Sequence, residues 1–230
     1  MNPFRIAILS LVILTLFIWI IFISKDAPES KKYYPWDIEQ IDGHTRVFGV
    51  ILNQTVLNEA ARILNIKPRL AVIQDKQKNL SLEADLGEHT FGVIMGRLIA
   101  NFDSSDSEKK DLISREQRRQ EFGKGSFKIY LDPADEIELS KRVLNGLTFV
   151  PYGEFELELL QKPGLFGPAQ EIVEENQHIT HLLYPSKGLA IRWDSEGKEA
   201  FQYVDLAQFK RLQQPLRDLP PVEPVQATAE

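Results

Sequence analysis

Four histidines, several clustered carboxylates and no cysteine set the chemistry open to this 230-residue chain. Of His44, His89, His178 and His181, only the pair His178-Ile179-Thr180-His181 has a spacing that suits a metal, because residues three apart share a face of a helix. The run HITHLLY reads as a strand, however, where residues three apart point to opposite sides. Zinc would also need further ligands, and only Glu174 and Glu175, in an expected turn, stand near. Glu154, Glu156 and Glu158 read as one solvated face, while Asp132, Asp135 and Glu136 are accounted for by the start of a helix. No acid/base pair stands apart from these. The G-x-S-x-G and H-E-x-x-H patterns are missing, and Gly123-Lys124-Gly125 lacks the rest of a phosphate-binding loop. Zero cysteine closes the disulfide, zinc-ribbon, iron–sulfur and thiol-nucleophile readings together. The expectation is a protein that is not an enzyme, with no catalytic, metal or cofactor-binding residue and no cofactor.

A formal charge of −6 and a pI near 5.4 give no general attraction for nucleic acid. Arg115, Arg118, Arg119 and Lys124 form a local basic cluster, but Glu108, Glu116 and Glu121 are interleaved with it, as on a solvated helix. Apolar residues make up 43% and charged residues 26%, near globular averages, which excludes wholesale disorder and a multi-span membrane protein.

The elements that would carry such groups follow from periodicity. Val47–Leu52 reads as a strand, and Thr55 as the cap of a helix with apolar residues at Val56, Leu57, Ala60, Ala61, Ile63 and Leu64. Residues 70–73, 80–86 and 90–103 read as three strands, joined by DKQKN and GEH turns. Within 105–126 an exposed helix ending at Gly123 is expected, and 127–131 is a strand. Asp132, Pro133, Asp135, Glu136, Lys141, Arg142 and Asn145-Gly146 mark a helix over 133–144. A strand at 147–152, a short helix in GEFELELLQ and four strands at 169–174, 178–184, 188–194 and 200–205 complete the reading. Trp193, Phe201 and Tyr203 are candidate aromatic anchors for a partner, with core packing as their competing use.

Residues 6–24 run nineteen positions without a charge, enough for a helix to span a bilayer core of about 30 Å. The block WIIFI runs into Ser24-Lys25-Asp26 with no small-x-small site, which argues against a cleaved signal peptide. Lys25, Lys31 and Lys32 outnumber Arg5 as flanking charges, but long domains translocate with little regard to them, and the short head favours a domain outside the cytoplasm. The resulting division is a head at 1–5, a transmembrane anchor at 6–24, a linker at 25–35, an α+β unit at 36–104, a helical insertion at 105–146, a second unit at 147–214 and a Pro-rich tail at 215–230.

Pro68 and Pro168 lie one hundred residues apart, each after a short amphipathic element and before several strands. The expected fold class is α+β: an N-terminal transmembrane helix followed by two helix-plus-antiparallel-meander units, which would gain by packing together. The run 165–204 carries Phe166-Gly167-Pro168, Tyr184-Pro185 with Gly188, and Asp194 with Gly197-Lys198. In these it resembles bacterial envelope domains of the SmpA/OmlA type, of the β-lactamase-inhibitor-protein-like fold. The lipid-attachment cysteine is absent, and the insertion 104–151 has no counterpart in the small members. The resemblance implies an envelope protein that scaffolds or binds other proteins without catalysis. The expected function is an accessory, assembly or scaffold subunit in the bacterial inner membrane, its main domain in the periplasm and its partners the bilayer through 6–24 and another envelope or membrane protein. The other reading is a small-ligand or ion-sensing module with a cleft between the two units.

Overall fold

The structure, a computed structural model, describes residues 33–219. Three short strands come first, β1 (Glu39–Ile41), β2 (His44–Val47) and β3 (Val50–Ile51), then α1 (Leu57–Ile63). The expected strand Val47–Leu52 is broken, because Phe48 and Gly49 take positive φ (53° and 82°) and reverse the chain between β2 and β3. Thr55 is not the cap of α1. Its buried hydroxyl accepts the Ile51 N–H at 3.0 Å instead.

β4 (Arg69–Gln74), β5 (Leu80–Phe91) and β6 (Ile94–Asn101) form the first meander. The expected turn at Gly87-Glu88-His89 is a bulge within β5: Gly87 has φ +84°, the register shifts between Asp85 and Glu88, and pairing resumes to Phe91. The reversal falls at Gly92-Val93, inside the stretch 90–103 that reads as one strand. α2 (Asp106–Ser114) stops well before Gly123, and the expected helix gives way to β7 (Arg118–Glu121), paired with β8 (Phe127–Tyr130). α3 (Pro133–Leu139) begins as expected, the Asp132 carboxylate accepting the Ala134 N–H at 2.9 Å, but ends five residues early. β9 (Gly146–Pro151), the short α4 (Leu157–Leu160), β10 (Glu171–Glu174), β11 (Ile179–Tyr184), β12 (Leu189–Asp194) and β13 (Ala200–Val204) follow. α5 (Lys210–Arg217) then takes up Pro215, which the sequence assigns to the tail.

The architecture corrects the expected fold class. Ten strands form one antiparallel sheet in the order β10-β11-β12-β13-β9-β6-β5-β4-β8-β7, and strand accounts for 39% against 22% helix. The two meanders are therefore halves of one sheet, joined by β9 between β13 and β6. No helix among the described residues is long and apolar enough to cross a membrane, and the anchor read at 6–24 lies outside the described residues. Periodicity fails here for a physical reason: alternation fixes which face of a strand is apolar but not which strand lies beside it.

One face of the sheet carries the core. Leu70, Val72, Leu82, Ala84, Leu98, Phe149, Phe201 and Tyr203 point inward, under Phe48 and Val50 from the first hairpin, Leu57 and Ala60 of α1 and Leu112 of α2. Phe48 stacks on Phe91 at 4.0 Å between ring centroids and meets Tyr203 edge-on. Among the described residues, the other face is covered over β10–β13, where Phe209, Leu212 and Leu216 pack on Val173, Leu183, Ala190 and Val204.

Candidate functional site

Beyond the reach of α5, the outward residues of β4, β5, β6 and β8 line a hollow of about 310 Å³. Its floor is Ala71, Ile73 and Ile99, and Phe122, from the β7–β8 turn, forms part of its wall. Strand alternation puts the floor residues opposite the core, where Ala71 is buried, Ile73 and Ile99 are half-buried and Phe122 beside them is exposed.

Asp85 organises the charges. Its carboxylate accepts a hydrogen bond from Arg69 Nη2 at 2.9 Å, and Arg97 Nη1 and Lys128 Nζ each lie 3.6 Å away. The bulge turns the Gly87 N–H back onto the same carboxylate at 3.0 Å. Burial pushes the Asp85 carboxyl up, but the Gly87 N–H, Arg97, Lys128 and Arg69 together outweigh it and hold it below the usual range. Glu83, two residues earlier on the same face, moves the other way. Burial raises its pKa despite the Ser81 hydroxyl donating to it at 2.6 Å and the nearby Lys128. Three cations thus converge on one firmly ionised carboxylate above an apolar floor, with a second carboxyl biased toward its neutral form. Around the hollow, three cations stand against two carboxylates, Glu83 and Asp85.

A second polar cluster ties the ends of the fold together. Buried Asp205 accepts the Thr45 N–H at 2.7 Å, Asn53 Nδ2–H at 2.5 Å and a contact from His44 Nδ1 at 2.8 Å. Sequence reasoning misses this cluster, since 152 to 161 positions separate Asp205 from its partners. The Asp85 cluster is missed for another reason: it depends on which strands are neighbours. The alternation of Glu83 and Asp85 with Leu82 and Ala84 was the available signal.

The histidine pair does not converge. His181 Nε2 meets Glu175 at 2.7 Å, whereas His178 Nδ1 lies 3.4 Å from Ser195 Oγ and from Glu196. Among the described residues, no group of three or more His, Cys, Asp or Glu side chains is placed to hold a metal. The aromatic candidates are also internal. Phe201 and Tyr203 are fully buried, the Tyr203 hydroxyl donates to the Pro35 carbonyl at 2.8 Å, and the Trp193 indole N–H donates to the Phe155 carbonyl at 2.7 Å. Of the basic cluster, Arg115 is held by Asp111 and Asp135, and Arg119 by Glu116.

Some of the residues that carried the envelope-domain resemblance form a structural lock with Lys187. The Tyr184 hydroxyl donates to the Gly167 carbonyl at 3.1 Å, Lys187 Nζ donates to the Phe166 carbonyl at 2.6 Å, and Gly188, at φ +66°, lies so close to the Val204 carbonyl that a Cβ would stand 2.1 Å from it. Comparison of the chain with protein-family models, with curated proteins and with solved structures finds no match in any of the three.

Proposed function

We propose that the chain is a membrane-tethered, non-catalytic binding domain that holds an acidic, partly apolar segment of another envelope or membrane protein on the open half of its sheet. The observation that carries this reading is the hollow around Asp85. Arg69, Arg97 and Lys128 supply a cation excess beside a half-buried apolar floor and the exposed Phe122, the arrangement that charge complementarity and partner packing both favour. The nineteen uncharged residues at 6–24 support the tether, and the resemblance at 165–204 supports an envelope setting.

The test is purification of the full chain from its native membrane in mild detergent, beside an Ile99→Asp variant shown to melt at the wild-type temperature. A stoichiometric partner held by the wild type and lost by the variant is the expected result. A solitary protein in both preparations overturns the reading. The same hollow favours a second reading, a small anionic ligand. It lies within the β4–β8 half of the sheet and not between the two meanders, and a rise in Tm of the solitary protein with a medium-chain carboxylate would select it.

A further inference from the structure

The β5–β6 hairpin runs past its neighbours. β4 leaves β5 at Asp85 and β9 leaves β6 at Gly96, so the hairpin runs on past them to its reversal at Gly92-Val93, with Phe91 turned into the core and Met95 facing out. The Tyr152 N–H donates to the Met95 carbonyl at 2.9 Å. Val93, at the reversal, is 88% exposed, Met95 is 52% exposed and Tyr152 is 41% exposed. Val93 and Met95 together leave an exposed apolar point at this end of the sheet.

Behind this apolar point stand groups of another kind. Arg97 and Lys198 share a shallow hollow with Val150 and Tyr152, and Lys198 Nζ sits 5.2 Å from the centre of the Tyr152 ring. Carboxylates stand at this end as well: Glu88 accepts the Tyr152 hydroxyl at 2.7 Å and lies 3.9 Å from Arg97, while at the β12–β13 turn beside Lys198, Asp194 is paired with Arg192 at 2.9 Å and Glu196 is exposed. Apolar tip, then tyrosine, then cations is the order in which a bilayer interface presents acyl chain, carbonyl zone and phosphate.

The described chain begins at this same end. Tyr34 lies flat on Gly92, close enough that a Cβ there would stand 1.9 Å from its ring, and Tyr33 packs against Gly49 beside the half-exposed Ile63. The uncharged run ends at Ser24, and eight residues separate it from Tyr33. The nine steps from Ser24 to Tyr33 reach at most about 32 Å.

We infer that the β5–β6 tip, through Val93 and Met95 with Tyr152, Arg97 and Lys198 behind them, is a lipid-contact surface that rests in the interface of the bilayer to which the chain is tethered. This rests on the tether proposed above. The chain has no cysteine, so a single introduced cysteine can be labelled without altering any other position. The full chain carrying Val93→Cys, Leu16→Cys or Lys124→Cys, each bearing an NBD fluorophore, is reconstituted into phosphatidylethanolamine/phosphatidylglycerol vesicles, with nitroxide-labelled lipid as quencher. Lys124 serves as the aqueous reference, in the β7–β8 turn at the opposite end of the strands. Blue-shifted emission and loss of most of the signal to the quencher at positions 16 and 93, with position 124 unaffected, is the expected result. Quenching at 16 with position 93 as exposed to water as position 124 overturns the tip while leaving the tether standing. Water exposure at 16 overturns the tether, and with it the inference.

Discussion

Asp85 and Glu83 face one hollow with opposite pKa shifts, and that difference makes their roles separable. Asp85 is held low, so its contribution to stability is complete above its unfolded pKa, about 3.9, and is lost as pH falls through the lower folded value. Asp85→Asn should cost about 1–3 kcal/mol at pH 7, less than a fully buried pair because Arg69 and Arg97 are themselves well exposed. Urea midpoints should converge with wild type as the pH is lowered through and beyond the unfolded value of about 3.9. Glu83 is held high, so its contribution is present below about pH 4.3 and fades as pH rises through the folded value. Glu83→Gln removes the cost of ionising that buried site. It should raise the urea midpoint at pH 7, and the advantage should shrink at pH 4.

At the scale of elements, the hairpin tip depends on a position without a side chain. Gly92 combines φ +64° with the Tyr34 ring against its Cα, so Gly92→Ala should cost about 1–3 kcal/mol in denaturant unfolding and release Tyr34 from the turn. How far elements were legible in the sequence varies with what defines them. α3 starts where Asp132-Pro133 says it should, since capping is local, and the strands of the second meander fall close to their apolar alternation. What failed was punctuation. Gly87 looks like a turn residue but supplies a bulge, and Gly92-Val93 looks like strand interior but supplies the turn, because a positive φ serves either purpose and only the paired strand decides. Arg118–Glu121, with no apolar residue, became a strand because β8 offered an edge to extend. The Asp85 site inherits this: its residues follow from alternation, but its three cations come together through strand order.

Across the whole molecule, the two faces of the sheet are treated unequally, and α5 is what covers part of the second. Phe209 anchors it against Leu183 and Ala190, so Phe209→Ala should cost about 3–5 kcal/mol and expose an apolar surface that binds ANS at denaturant concentrations where the wild type does not. The same sheet has a feature that matters before folding is complete. β9 reaches its place between β6 and β13 only after residues 102–145 have been made, and β13 lies a further fifty residues along the chain. A chain emerging from the ribosome therefore passes through a stage in which β6 displays an open row of N–H and C=O groups beside Leu98 and Ala100, an adhesive edge awaiting its own later strand. Slow or interrupted synthesis across 102–145 gives that edge time to recruit a neighbouring nascent chain, so translation speed through this stretch governs the yield of native protein.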